Sequence, residues 1–328
     1  MRILYAIQGT GNGHISRARE IVPLLQQHGA VDLLISGTQS DVKLVQPVKY
    51  QLHGFSFIFG KKGGVHHWET YKTMNLPRFV QDMRKIPLKD YNLIINDFEP
   101  VTAWACKLQG LESVGLSHQA AFQSQQVPKP RSIDWAQLVM KYYAPATHYV
   151  GFHFKKYDDF IYTPVIRSAI RNLEVSNDGH YTVYLPAIDD RLLVPLLQQL
   201  PQVQWKVFSK HCHLKYRAKN VDVSPVSHIE FNESLASCAG LFTGGGFEGP
   251  AEALFLKKKL LVMPMRFQYE QQCNAYALKQ LGFPVIWGSN KNWLPILKAW
   301  VEQPQEYEFD FPDDTAAVID EVVKRFAR

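Results

Sequence analysis

The chain has 328 residues, of which 46% are hydrophobic and 20% are charged, so its composition excludes wholesale disorder and its length suits two ordinary domains. Its net charge of +6 is spread along the chain without a dense basic arm, which argues against a nucleic-acid partner. The 4 cysteines have no C-x-x-C spacing, and no apolar run reaches the roughly 18 residues that span a bilayer, so we expect a cytoplasmic protein without structural zinc.

The chain begins with a predicted strand, a glycine-rich loop and an amphipathic helix. Ile3 to Ile7 is an apolar run, residues 9–17 read GTGNGHISR, and a helical pattern continues to Gln27. A second apolar run, Val31 to Ser36, completes a βαβ unit and implies a parallel sheet. The glycines resemble a dinucleotide fingerprint, but His14 interrupts that pattern. We therefore do not expect a Rossmann dehydrogenase.

Residues 53–75 combine aromatic and basic side chains, with FSFIF at 55–59 and lysines at 61 and 62. The aromatic residues alternate as they would in a half-buried strand. The same segment could instead contact an amphipathic acceptor or a membrane surface. Both interpretations stay open, and the second adds a peripheral contact with the inner membrane face.

An apolar strand that begins near Tyr91 delivers Asn96, Asp97 and Glu99 at its carboxyl end. Ligands of open α/β sheets gather at the carboxyl ends of strands, and the loop that carries His14 also follows such an end. We therefore expect Asp97 to meet His14. A further strand from residue 113 to 116 ends in Ser-His-Gln at 117–119, which adds polar groups to the same edge.

The βα pattern loosens between residues 146 and 177 and then starts again, so we place a boundary near Thr163. The predicted domains are residues 1–163 and 164–310, followed by a C-terminal helix at 311–328. Further strands are predicted at 181–185, 204–208, 222–226, 241–243, 260–263 and 282–286. Helices are predicted at 191–200, 232–239, from Pro250, and at 270–281 and 313–328.

Residues 240–252 read GLFTGGGFEGPAE and are the most informative stretch of the chain. The pattern predicts a short strand, a triple-glycine turn and a helix from about Pro250, which suits a first helical position. Glycine amides and a helix N-terminus can together bind a phosphate. Glu252 could then span two ribose hydroxyls. From these residues alone, a turn whose glutamate only complements the helix dipole is an equal alternative.

The two βα halves, the GTGNGHISR loop and the glycine turn placed before EQQCNA at 270–275 together resemble the GT-B glycosyltransferases. The resemblance is to the branch with the UDP-glycosyltransferases and the peptidoglycan N-acetylglucosaminyltransferase, and it covers nearly the whole chain. It implies an α/β protein with two Rossmann-like domains that face each other across a cleft. The acceptor would bind the first domain, the nucleotide-sugar would bind the second, and the final helix would return to the first.

The resemblance also implies which residues bind the donor. They are Phe231, Gly244, Gly245, Gly246, Phe247, Glu252, Glu270 and Gln271. The glycine amides would bind the diphosphate, Glu252 the ribose hydroxyls, and Glu270 with Gln271 the hydroxyls of the donor sugar. Phe231 would lie just before a helix, where the family reads the base with main-chain groups.

The resemblance also implies that the first loop carries the catalytic base. An acceptor hydroxyl must lose a proton as it attacks, and a histidine that a carboxylate orients suits that role. Several relatives pair a histidine of this loop with an aspartate at a later strand end, and His14 and Asp97 match them here. Gly11, Asn12 and Gly13 would border the acceptor. The alternative is that His14 only binds acceptor or phosphate through its ring N–H.

We therefore expect inverting transfer of a hexose or N-acetylhexosamine from a UDP-sugar, without a metal or any cofactor besides this co-substrate. The acceptor is a glycan, a lipid-linked or a small molecule, which suits cell-envelope or polysaccharide biosynthesis. The residues from Arg266 to Tyr269 depart from the family, so the donor sugar stays unassigned. A nucleotide-sugar 2-epimerase of the same fold and a sugar-nucleotide or carbohydrate-binding protein without turnover remain alternatives.

Overall fold

A computed structural model of the chain describes residues 1–10, 12–37, 44–54, 76–130, 135–266, 268–288, 293–305 and 309–328. It contains two sheets, of 7 and 6 strands. The aromatic and basic segment from 55 to 75, and Gly11 of the first loop, lie outside the described residues. Across the described part of the chain, no helix combines the length and the hydropathy that crossing a bilayer requires.

The first sheet is parallel throughout, in the order β3-β2-β1-β4-β5-β6-β7. Its strands are β1 (Arg2–Gln8), β2 (Ala30–Ser36), β3 (Tyr50–Leu52), β4 (Leu93–Asp97), β5 (Val114–Ser117), β6 (His148–Phe152) and β7 (Ile161–Tyr162). The helices of this unit are α1 (Asn12–Gln26), α2 (Leu76–Arg84), α3 (Pro100–Gln109) and α4 (Trp135–Tyr142), with 3-10 turns at Leu88–Asp90 and Gln119–Gln123. The strands are nearly all apolar because helices cover both faces of a parallel sheet.

The second sheet has the order β10-β11-β9-β8-β12-β13 and is parallel except at its edge, where β10 runs antiparallel to β11. Its strands are β8 (Tyr181–Tyr184), β9 (Trp205–Ser209), β10 (Tyr216–Ala218), β11 (Val221–Pro225), β12 (Gly240–Gly244) and β13 (Lys259–Met263). The remaining helices are α5 (Ser168–Arg171), α6 (Asp190–Leu197), α7 (His228–Ser237), α8 (Glu248–Phe255), α9 (Tyr269–Gln280), α10 (Leu294–Glu302) and α11 (Thr315–Phe326). Two mostly parallel sheets with flanking helices confirm the predicted α/β class.

The final helix lies on the first unit, although it follows the second in sequence. Helix α11 packs against α1, and Phe326 stacks on the His148 ring with 4.5 Å between centroids. Arg328 adds an ion pair of 3.0 Å with Glu112. The chain thus crosses back to its first sheet. The domain limits at 163 and 310 stay predictions.

Some predicted elements differ from the structure in their limits. Helix α8 begins at Glu248 and not at Pro250, which is its third residue, where a missing N–H still costs no intrahelical hydrogen bond. Helix α7 begins at His228, not at 232, because the Ser227 hydroxyl accepts a hydrogen bond from the Glu230 N–H at 3.4 Å and caps the helix. The Ser-x-x-Glu spacing of a capping box could have revealed this start. The strand predicted over 282–286 is reduced to a single bridge between Val285 and Val262. Pro284 has no N–H with which to extend the ladder.

Candidate active site

The structure brings His14 and Asp97 together at the carboxyl edge of the first sheet. Strands β1 and β4 are neighbours in which Ile7 pairs with Asp97, and α1 follows β1 after a short turn. His14 is the third residue of α1, and its Nδ1 lies 2.7 Å from Oδ1 of Asp97. Because an ionised carboxylate only accepts hydrogen bonds, Nδ1 carries the proton and donates it.

The other ring nitrogen of His14, Nε2, is then unprotonated, and its lone pair accepts a hydrogen bond of 3.4 Å from the side-chain amide of Gln119. The His14 side chain is 10% exposed. Gln119 begins the 3-10 turn after β5, as the Ser-His-Gln stretch at the same sheet edge led us to expect. His14 is therefore oriented to accept a proton at Nε2, beside a side chain that can donate a hydrogen bond.

Arg17 completes this cluster and was not predicted from the sequence. Its Nε and Nη2 donate to the two carboxylate oxygens of Asp97 at 3.1 and 2.7 Å, and its Nη1 donates to Glu248 at 3.0 Å. The Tyr5 hydroxyl donates to Asp97 at 3.3 Å. Arg17 lies three residues after His14, and that helical spacing was the available signal.

The charge of Asp97 is stabilised although its carboxyl group is fully buried. Burial alone would raise the pKa of Asp97, but the Arg17 guanidinium and the His14 ring outweigh it and hold that pKa below its usual range. Asp97 is thus a carboxylate near neutral pH. It can fix the tautomer of His14 and stabilise its imidazolium form.

The three glycines of the turn between β12 and α8 have different surroundings. The Gly245 N–H donates to the side-chain oxygen of Gln271 at 3.2 Å, and its carbonyl accepts from the Asn274 amide at 3.0 Å. A β-carbon on Gly245 would lie 2.5 Å from the Gln271 carbonyl oxygen, whereas one on Gly246 would meet nothing within 4 Å. Gly245 therefore allows close packing on α9, and Gly246 faces open space. Gly244 ends β12.

Two predicted donor ligands are engaged inside the protein. Glu252, the fifth residue of α8, is buried, and Arg167 donates to its two carboxylate oxygens at 2.5 and 2.8 Å. Burial raises the pKa of Glu252 against the opposing effect of Arg167. Gln271 accepts from the N–H groups of Gly245 and Met265, the second at 2.9 Å. Glu270 is half-buried in the first turn of α9.

Of the two phenylalanines assigned to the donor, Phe231 lies elsewhere than predicted, and Phe247 follows the glycine turn as predicted but is buried. Phe231 is inside α7 rather than before a helix, and its N–H donates to the Ser227 carbonyl at 2.9 Å, so this amide is not free to read a base. Its ring packs edge-on against Tyr184 and Phe208. Phe247 is buried and stacks on His118 of the first unit, with 3.7 Å between centroids. Both rings therefore serve packing in this structure.

His118 joins the two units beside this stack. Its Nδ1 lies 2.8 Å from the Phe152 carbonyl, and its Nε2 lies 2.7 Å from the side-chain oxygen of Asn274. Burial lowers the pKa of His118. Asn274 also holds the carbonyl of Gly245, so a residue of the first sheet edge is connected to the glycine turn through one side chain.

The acceptor-side loop meets the second unit directly. Asn12 begins α1, and a β-carbon on Gly13 would lie 2.5 Å from a carboxylate oxygen of Glu248. A side chain at position 13 would therefore displace the Glu248 carboxylate from this place. Within the described ranges, no group of three or more His, Cys, Asp or Glu side chains could hold a metal ion. Metal independence stays a prediction.

Solved structures of low sequence identity share the fold along almost the full chain. The glycotransferase of kitacinnamycin is 13% identical with a TM-score of 0.58, and the comparison covers 98% of this chain and 94% of that one. UGT89C1 of Arabidopsis thaliana, complexed with UDP, is 10% identical with a TM-score of 0.58, covering 99% and 94%. MurG of Acinetobacter baumannii is 12% identical with a TM-score of 0.55, covering 99% and 95%.

These neighbours are GT-B glycosyltransferases, which confirms the predicted fold. A comparison with curated protein sequences gives no match. A sequence model described as "Glycosyl transferase family 1" matches residues 1–301. Because that match spans most of the chain, the protein belongs to glycosyl transferase family 1.

Proposed function

We propose that this glycosyltransferase moves a hexose or N-acetylhexosamine from a UDP-sugar to an acceptor hydroxyl. The observation that carries the proposal is the orientation of His14, whose Nδ1 is fixed by Asp97 at 2.7 Å while Nε2 keeps its lone pair. A base in this state in the first unit, together with a glycine turn in the second unit, suits proton removal from a hydroxyl that attacks a phosphate-linked sugar.

The reaction forms a bond between the acceptor oxygen and the anomeric carbon, and it breaks the bond between that carbon and the oxygen of the β-phosphate. His14 takes the acceptor proton at Nε2, and Asp97 stabilises the imidazolium. The leaving diphosphate gains negative charge, which the Gly246 amide and the N-terminus of α8 can stabilise without a metal. Attack from the face opposite the leaving group inverts the anomeric centre.

Donor binding by Glu252 requires the Arg167 side chain to move. The carboxylate keeps free lone pairs beside the two that Arg167 uses, so it can accept bonds from ribose hydroxyls. Its side chain, however, is 4% exposed, so we infer that Arg167 moves aside as the nucleotide enters. Glu270 and Gln271 would then contact the sugar. A uridine donor is supported by the UDP complex of the Arabidopsis thaliana neighbour.

The acceptor would bind the first unit near Asn12, Gly13 and Gln119. A glycan, lipid-linked or small-molecule hydroxyl fits the proposal, and the segment 53–75 would supply a peripheral membrane contact for a cytoplasmic enzyme. Nucleic acid is not an expected partner.

A panel of nucleotides and nucleotide-sugars tests the donor by thermal shift. UDP at about 100 times its Kd should stabilise the protein by about 2.7 kcal/mol, since it binds only the folded state. Preference for a guanosine or thymidine nucleotide would contradict the uridine donor. Incubation of the binding UDP-sugar without acceptor provides a second readout, because release of an epimerised UDP-sugar would identify an epimerase instead.

A further inference from the structure

Glu248 reaches from the second unit into the cluster around His14. It is the first residue of α8, directly after the glycine turn, and its side chain is 29% exposed. Its carboxylate accepts from Arg17 at 3.0 Å and lies against Gly13 of the first loop. None of the roles proposed above for the donor or the acceptor uses this carboxylate.

Arg17 divides one positive charge between two carboxylates. Two of its nitrogens bind Asp97 and the third binds Glu248, so its fork is shared between the two units. Its Nη2 also lies 3.1 Å from Nδ1 of His14. A cation at this distance disfavours a second positive charge on the ring, whereas both carboxylates favour it.

We propose that Glu248, a residue of the second unit, is a positioning residue that strengthens the His14–Asp97 pair as a base through Arg17. Glu248 offsets the Arg17 charge, and Asp97 is left to stabilise the imidazolium. Without the Glu248 charge, Arg17 would face Asp97 and His14 alone, and His14 would be a weaker base. The inference rests on the proposed role of His14.

The remaining neighbours of His14 do not carry this coupling. Tyr5 on β1 donates to Asp97 from within the first unit, and Gln119 is neutral. Phe98, which follows β4, is parallel to the His14 ring at 6.4 Å between centroids. Among the charged side chains bound to Arg17, Asp97 comes from the first unit and Glu248 from the second, so Glu248 is the charge that the second unit contributes.

The test is a histidine titration by NMR on the ligand-free, full-length protein, with the His14 signal assigned by its loss in His14→Gln. Glu248→Gln removes one charge and keeps the side-chain shape. Its His14 titration midpoint should fall by about half a pH unit, which is about a threefold loss of proton affinity. Glu302→Gln, an exposed change of the same kind on α10, should leave the midpoint unchanged. An unchanged midpoint in Glu248→Gln would overturn the proposal.

A second pair of variants tests the route through Arg17. Arg17→Lys keeps the charge but loses the planar fork that holds both carboxylates, so adding Glu248→Gln to it should lower the His14 titration midpoint less than in the unsubstituted protein. An equal fall in both backgrounds would show a direct effect and remove Arg17 from the proposal. Should Arg17→Lys fail to fold, Glu248→Asp replaces it, because aspartate keeps the charge but is one methylene too short for the 3.0 Å contact with Arg17. Its midpoint should lie between those of Glu248→Gln and the unsubstituted protein, and a midpoint equal to that of the unsubstituted protein would remove Arg17 from the proposal. Absence of UDP binding in the unsubstituted protein would refute the donor proposal without altering this titration.

Discussion

Replacing Gly245 by alanine adds a methyl group where the neighbouring chain leaves no room. The new β-carbon would lie 2.5 Å from the Gln271 carbonyl oxygen and 3.0 Å from the β-carbons of Gln271 and Pro264. Two of these three atoms belong to Gln271 of α9, and the third belongs to Pro264, which follows β13. Because the nearest atom is a main-chain oxygen, the backbone must shift. Overpacking of this kind costs about 1–3 kcal/mol.

Gly246→Ala is the matched control one residue later. A β-carbon there meets nothing within 4 Å, so the free energy of unfolding should not change. The proposed donor, however, occupies that open space, and the methyl group should weaken UDP binding at least tenfold, or about 1.4 kcal/mol.

Thermal unfolding with and without UDP measures both effects. Gly245→Ala should lower the Tm of the ligand-free protein by roughly 2–4 °C for each kcal/mol lost in a domain of about 150 residues. Gly246→Ala should keep the Tm of the ligand-free protein and, at the same UDP concentration, show a UDP-induced rise of at most about half that of the unsubstituted protein. Equal stability of the two variants would refute the packing argument, and full UDP protection of Gly246→Ala would refute the placement of the diphosphate.

Two further predictions concern buried carboxylates. The folded-state pKa of Asp97 lies below its unfolded value, so its contribution to stability is present above about pH 4 and is lost as the pH falls through the folded pKa. Urea unfolding between pH 3 and 6 should therefore show a loss of unfolding free energy at the acid end, and Asp97→Asn should lack that loss. Arg167→Gln leaves the Glu252 carboxylate buried without its cation and should cost about 3 kcal/mol near neutral pH, whereas exposed Arg191→Gln should cost less than about 1 kcal/mol. Because burial already raises the pKa of Glu252, the Arg167→Gln deficit should shrink as the pH is lowered toward 5 and the carboxyl group protonates; a constant deficit would contradict the assignment.

The meeting of His14 and Asp97 could be predicted from the sequence because each follows the carboxyl end of a strand, and parallel strands end at one edge. The spacing of Arg17 from His14 places it on the same helix face, but its burial could not be predicted, since a basic residue in an amphipathic helix is ordinarily exposed. Its burial depends on Asp97, 80 residues away, and on Glu248, 231 residues away. No local pattern encodes contacts of that range.

The surroundings of the glycine turn likewise could not be predicted from the local sequence. Its strand, turn and helix follow from local chemistry, but the difference between Gly245 and Gly246 depends on how α9 packs beside them. The engagement of Glu252 by Arg167, 85 residues away, likewise depends on where the connector between the sheets lies. Phe231 was misplaced for a local reason instead, because the Ser227 cap was not recognised.

The rate of sugar transfer in His14→Gln tests the central claim most directly. Glutamine keeps a polar side chain but cannot accept the acceptor proton, so turnover of the UDP-sugar with an accepted hydroxyl should fall about 10²–10⁴-fold while UDP still raises the Tm. Exposed His213→Gln serves as the control and should retain full turnover. Undiminished transfer by a folded His14→Gln protein would contradict the role of His14 as the base.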